Sequence, residues 1–409
     1  MSFKTKKRHR TLVWYLTPVF GLTCLLGTVQ AADNLTYAGV NLSGAEFNPK
    51  KKPGVLNKDY RYPAAADYSY FARKGMNIVR LPFLWERIQP SVNGPLDQDQ
   101  LAMIRKAVEN AQNNHQSIIL DAHNYGSYNG MLLGSERLQA SALVDLWKKL
   151  AREFKDNESV IFGIMNEPNG IRADGWMNTA QQTVDAIRRV GARNLVLIPG
   201  TAYTGAHSWM MGQSGGPSNA EALQNFRDPA NHMAIEVHQY LDGDFSGTTG
   251  QCPNPSVGTQ SLSGLTNWLR QTHKVGFLAE FAGGDNPACK QGVEGMLGFM
   301  EQNKDVWLGW TWWAAGAWWK SDYPFNLQMN TDGSDKPQMA WIAPHAREVT
   351  RAQGRRYSAV SATPVLHQYH LQESDGGHWR GQSNVQSDNA PQSSHRHVWS
   401  QLRQQQNNR

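Results

Sequence analysis

The chain has 409 residues, of which 40% are hydrophobic and 10% aromatic, with 15 tryptophans and a formal net charge of +6. The positive excess lies at the ends, because residues 32–349 carry 28 basic and 31 acidic side chains. A globally basic nucleic-acid-binding surface is therefore not expected, while the apolar content suffices for one barrel-sized core or two smaller ones.

The N-terminus reads as an export signal. Lys4, Lys6, Lys7, Arg8 and Arg10 precede an apolar stretch over residues 12–29, and Val29-Gln30-Ala31 is a small-residue cleavage site. The stretch is on the borderline of membrane-spanning length but contains Pro18, so residues 1–31 are expected to be removed, leaving a secreted protein with no stable membrane association. Removal would also discard Cys24. The other two cysteines, Cys252 and Cys289, lie in loop-like sequence; they can pair in an oxidising compartment, but spacing does not establish that they do.

Eight strand-like apolar runs follow, at residues 37–44, 77–83, 117–124, 160–168, 194–201, 233–240, 275–283 and 306–313. Between them, stretches such as DQLAMIRKAVENAQNN and SALVDLWKKLAREF place apolar residues three and four apart, the helical period. Strand and helix alternating eight times predict a closed (β/α)₈ TIM barrel, a single domain over residues 32–349. A doubly wound open sheet is the alternative, but no GxGxxG or P-loop follows the first run.

In such a barrel, chemistry collects at the C-terminal ends of the strands. Polar interruptions fall there: Arg80 on the second strand, His123 and Asn124 on the third, Asn166 and Glu167 on the fourth. His238 and Tyr240 follow on the sixth, Glu280 on the seventh, and Trp312 and Trp313 on the eighth. Pro168 has no N–H and turns the chain out of the sheet just after Glu167. Singly, each residue has a structural reading: an ion-paired arginine, core histidines, a packed ring. Two strand-end glutamates are harder to explain that way, because a buried carboxylate without a partner is costly.

The segments AGVNLSGAEF, NIVRLPFLWERIQP, LDAHNYG, FGIMNEPNG, EVHQYLD, GFLAEFAGG and WLGWTWWAAG, in that order, resemble a glycoside hydrolase family 5 endoglucanase, a secreted cellulase, over about residues 37–345. The resemblance implies a (β/α)₈ barrel and a retaining mechanism, with Glu167 as acid/base and Glu280 as nucleophile. By the same resemblance Asn166 grips the sugar 2-hydroxyl, Arg80 hydrogen-bonds the nucleophile, His123 and His238 line the cleavage subsite, and Trp313 is its sugar platform. Trp312 is close enough to exchange with Trp313 by one position. Retention needs one carboxylic acid to protonate the leaving oxygen and a carboxylate about 5 to 5.5 Å away to attack the anomeric carbon. Tyr240 is placed to hydrogen-bond Glu280 and hold it as a carboxylate.

Trp85, Trp209, Trp318 and Trp319 fit either sugar stacking or the core. Glu46 and Glu86 read as structural or rim groups. Glu236, two residues before His238 and on the same strand face, is the rival carboxylate, though its family motif gives it no catalytic role. Residues 350–409 form a polar tail, rich in Gln, Asn and Ser from Ser374 onward, that is expected to be disordered. The tail is too poor in apolar residues for a cellulose-binding module, and its five irregularly spaced histidines make a poor metal site.

The sequence thus predicts a monomeric endo-β-1,4-glucanase whose partner is a β-1,4-glucan polysaccharide, with no metal or organic cofactor called for. Another β-glycan (mannan, xyloglucan, mixed-linkage glucan) as substrate is the first alternative. A non-catalytic carbohydrate-binding barrel is the second.

Overall fold

The computed structural model describes residues 34–361, so the expected export signal and most of the polar tail lie outside the described residues. Eight strands, β1 (Tyr37–Leu42), β2 (Ile78–Phe83), β3 (Ser117–Ala122), β4 (Val160–Gly163), β5 (Val196–Pro199), β6 (Met233–His238), β7 (Gly276–Glu280) and β8 (Trp307–Ala315), pair in parallel, and β8 returns to β1 to close the barrel. The α-helices of five or more residues are α1 (Ala65–Arg73), α2 (Gln98–Gln112), α3 (Ala140–Phe154), α4 (Ala173–Arg189), α5 (Asn219–Leu223), α6 (Val257–Gln271), α7 (Pro287–Gln302) and α8 (Met339–Ser361). Each of the eight apolar runs is a barrel strand, as the (β/α)₈ reading expects.

The strands are apolar on both faces because one face fills the barrel and the other lies under the helices. On α3 the inward stripe is Leu143, Leu146, Trp147, Leu150 and Phe154, at spacings of three and four. Local signals start the helices: the Asp97 side chain accepts from Gln100 N ahead of α2, and Asn286 accepts from Cys289 N ahead of α7, whose first residue is Pro287. Closure depends on a glycine. A Cβ on Gly309 of β8 would lie 2.1 Å from the Tyr37 carbonyl of β1, so no larger residue lets these strands approach.

Two expected boundaries shift. β4 ends at Gly163 rather than running to Pro168, and Glu167 stands on a left-handed backbone at φ 44°. Helix α8 continues past residue 349, where the tail was expected to begin, because Ala346, Val349 and Ala352 keep a buried stripe within a polar segment. The cysteine question is resolved: Cys252, in the loop after β6, is disulfide-bonded to Cys289 in the first turn of α7.

Candidate active site

The floor of the barrel is an apolar plug that includes Ile78, Ile119 and Ala234. Two residues further along the same strands, on the same face, come Arg80, Asp121 and Glu236, all fully buried. Arg80 is thus in mid-strand inside the barrel, not at the strand end where the sequence placed it. Its Nη1 donates to Asn41 Oδ1 at 2.9 Å and Glu280 Oε1 at 2.8 Å; its Nη2 donates to Asn166 Oδ1 at 2.8 Å and Glu236 Oε1 at 2.9 Å. Asp121 Oδ1 is 3.1 Å from the same Nη2. Burial works against the guanidinium, but the carboxylates of Asp121, Glu236 and Glu280 outweigh it and raise its pKa above the ordinary value. One buried cation therefore anchors three carboxylates.

Glu280 ends β7. Strict alternation from inward-facing Phe277 would turn it away from the interior, but the register between β6 and β7 slips by one residue, pairing Val237 with Leu278 and His238 with Glu280. Such irregularities re-aim side chains near sites. Arg80 holds one carboxylate oxygen of Glu280, and Tyr240 OH donates to the other at 2.7 Å. Burial raises the Tyr240 pKa well above its usual value and the Glu280 and Glu167 charges add to this, so the phenol keeps its proton and remains a donor.

Glu167 comes over the mouth from the left-handed turn after β4. Its Oε1 is 2.7 Å from His238 Nδ1, and one donor atom each of Glu167, His238 and Glu280 fall within 4.8 Å of one another. The neighbouring loop is also strained: Ala202, Tyr203 and Thr204 have successive φ of 54°, 58° and 51°. It is pinned by Tyr203 N donating to the Pro168 carbonyl and by Thr204 Oγ1 donating to the Glu236 carbonyl.

Asn166 lies beside the pair, with Nδ2 3.3 Å from His123 Nε2. His123 Nδ1 is 2.7 Å from Asp121 Oδ2, and its ring stacks on Trp313 at 5.4 Å between centroids and 11° between planes. Burial lowers the tendency of His123 to charge, but Asp121, with Glu280 and Glu46 further off, reverses the balance and raises its pKa.

The tryptophan register resolves by burial. Trp312 is fully buried with Nε1 donating to the Phe325 carbonyl, whereas Trp313 is half-buried and faces the cleft. Trp85 and Trp209 are fully buried and belong to the core, while Trp319 lines the cleft. Glu86 is tied to Lys52 at 2.7 Å, Glu46 to the Gly44 N–H at 2.7 Å, and both edge a cavity of about 490 Å³ in front of Trp313. A second cavity of about 360 Å³ is lined by Glu167 together with Tyr203, His207, His238 and Phe245. One cavity thus adjoins His123 and Trp313, and the other Glu167 and His238.

Residues 36–316 match the model of the cellulase family, glycosyl hydrolase family 5. The chain belongs to glycoside hydrolase family 5. Among curated family relatives, endo-β-1,4-glucanase B of Aspergillus niger is 37% identical over 303 residues, 74% of this chain and 88% of that protein. The crystal structure of an endo-β-1,4-glucanase from Xanthomonas axonopodis pv. citri is 54% identical, with a TM-score of 0.76 over 77% of this chain and all of the other. XacCel5A in complex with cellopentaose is 61% identical, with a TM-score of 0.75 over 76% of this chain and 99% of the other.

In this family 5 barrel, His123, Asn166, Glu167, His238, Tyr240, Glu280 and Trp313, seven of the eight site residues expected from the sequence, gather at one mouth, and the eighth, Arg80, reaches Asn166 and Glu280 from inside the barrel. Sequence reasoning missed Asn41, Asp121, Tyr203 and Phe245. Asp121 was accessible through strand periodicity, being two residues before His123 on the same face. Asn41 was not, because its place is set by contacts across the barrel, where its Nδ2 donates to the Ala279 and Trp312 carbonyls.

Proposed function

We propose that the chain is a secreted, retaining endo-β-1,4-glucanase in which Glu167 is the acid/base and Glu280 the nucleophile. The carrying observation is the approach of the two carboxyl groups, with an oxygen of one within 4.8 Å of an oxygen of the other. That separation suits direct attack on the anomeric carbon and leaves no room for the intervening water of an inverting enzyme, which needs about 6.5 to 9.5 Å.

In the first step a Glu280 oxygen bonds to the anomeric carbon as the glycosidic C–O bond breaks, and the Glu167 proton passes to the departing oxygen. In the second, Glu167 takes a proton from water, whose oxygen displaces Glu280 and restores both groups. Arg80 and Tyr240 each hold one oxygen of Glu280, fixing its aim and favouring the carboxylate. Asn166 Oδ1 is occupied by Arg80, so its Nδ2 is turned to where a sugar 2-hydroxyl would lie beside the anomeric carbon. Trp313 offers an indole face to the apolar face of that sugar.

Two cavities, one at His123 and Trp313 and one at Glu167 and His238, support cleavage within a chain rather than at its end. The cellopentaose complex of the 61% identical XacCel5A supports a β-glucan substrate. Export of residues 32–409 suits a substrate of polymer size, and the disulfide suits an oxidising destination.

The test is hydrolysis of carboxymethyl cellulose against galactomannan, with Glu280→Gln in parallel. Release of reducing sugar from the cellulose derivative, with an early fall in viscosity, is expected, and the variant should lose about 10⁴-fold or more. Activity on galactomannan alone would overturn the substrate, and activity of the variant equal to wild type would overturn the nucleophile.

A further inference from the structure

Glu236 is a buried carboxylate that the mechanism above does not use. It is fully buried, with Oε1 2.9 Å from Arg80 Nη2 and 3.4 Å from His238 Nε2. Neither Glu236 Oε2 nor His238 Nε2 has a hydrogen-bond partner. On the other side of the ring, His238 Nδ1 lies 2.7 Å from Glu167 Oε1 and 3.5 Å from Glu280 Oε2. Both ring nitrogens therefore face carboxylate oxygens. A neutral imidazole has one N–H and one lone pair, so it would turn the lone pair either toward Glu236 or toward Glu167, where only the proton that Glu167 must give to the leaving oxygen could meet it. Only the imidazolium offers a proton at each end.

We propose that Glu236 is a positioning residue that keeps His238 an imidazolium, and thereby sets the pH above which the ring loses that charge and the site its activity. The inference rests on Glu167 being the acid/base.

The groups facing the line are Arg80 on β2, Asp121 and His123 on β3, Glu167 after β4, Tyr240 after β6 and Glu280 on β7. Asp121 is already engaged by His123 Nδ1 at 2.7 Å and Glu280 by Tyr240, so Glu236 is the carboxylate that stands at Nε2. Burial opposes charge on His238, yet Glu280, Glu167 and Glu236 together push its pKa up to about 10.

A permanent imidazolium serves both chemical steps. When the glycosyl ester forms, Glu280 loses its negative charge and Glu167, having given its proton to the leaving oxygen, gains one. When water cleaves the ester, the proton enters Glu167 and the charge returns to Glu280. His238 lies between the two carboxylates, so one cation faces the anion in either state and the summed charge of the trio is unchanged by each step. Glu236 lets that cation persist in a buried site.

Glu236→Gln keeps the shape and an oxygen for Arg80 but removes the charge; Glu236→Asp keeps the charge. The experiment, on the secreted chain, combines ¹⁵N NMR of the His238 ring, assigned with His238→Gln, with the pH profile of kcat/KM on soluble cellulose derivative. Wild-type His238 should show two protonated nitrogens from about pH 6 to 8, and Glu236→Gln should move the alkaline limb of the profile about one pH unit lower. Glu236→Asp should restore the limb even with a reduced kcat.

A purely structural role would lower kcat or stability without moving the limb, and a limb unmoved in folded Glu236→Gln overturns the inference. If the Gln variant does not fold, wild type decides by itself: a neutral His238 ring at about pH 7 overturns it, and an imidazolium supports it. Azide rescue of Glu167→Ala on an aryl cellobioside tests the acid/base separately. With rescue present and the limb unmoved, only the role of Glu236 falls; with rescue absent, both fall.

Discussion

Tyr240 shows how one hydroxyl can fix a buried carboxylate, the one proposed above as nucleophile. Its OH holds Glu280 Oε2 at 2.7 Å in a dry site, and a hydrogen bond to a charged group is typically worth about 1.5 to 3 kcal/mol. Tyr240→Phe should therefore lower kcat/KM by about 10- to 100-fold with the fold intact, measured on soluble substrate beside the thermal melt. An unchanged kcat/KM would remove Tyr240 from the machinery. The residues proposed to carry chemistry were largely legible because most of them end or follow a strand, where an isolated polar group beside an apolar run is conspicuous. Arg80 was legible as a residue but not as a place: being mid-strand, it can charge the barrel interior only because Asp121 and Glu236 meet it from other strands. No single segment shows that convergence.

At the level of elements, the strands were readable from their apolar runs and the helices from spacing of three and four. The turns that deliver the side chains were less so. Glu167 owes its direction to a left-handed backbone, and Glu280 to a register slip between β6 and β7; both arise from tertiary contacts that override local preference. The loop after β6 is another such case. Asp242 accepts from the N–H groups of Gly247, Thr248 and Thr249, folding the loop so that Gly247 packs on the Tyr240 ring, where a Cβ would come within 2.7 Å. Cys252, further along the same loop, is tethered to α7 across 37 residues. Replacing Cys252 and Cys289 together by Ala should cost about 2 to 4 kcal/mol by releasing the unfolded chain, read as a lower Tm. Equal melting of variant and wild type would show that the loop is held without the tether.

For the whole molecule, the concentration of charge inside the barrel makes stability depend on pH. His238 has its pKa pushed up to about 10 in the folded chain, against an ordinary value of 6.5, so the folded state holds this proton more tightly. The stabilising contribution is full below pH 6.5 and disappears as pH rises through about 10. His123, raised by its neighbours, acts in the same direction. Melting temperature should fall between those limits, and His238→Gln should flatten the slope; a wild-type Tm constant over this window would contradict an imidazolium in the folded barrel.

Closure of the barrel also ties the two described ends together. Gln353 Nε2, on α8, donates to the Thr36 carbonyl at 2.7 Å, just before β1 and on the face opposite the mouth. A short linker joining these ends, with new ends opened in a loop of that same face, should give a circular permutant whose catalytic mouth is untouched. Such a permutant would let the order in which the eight units emerge during synthesis be varied independently of the finished enzyme.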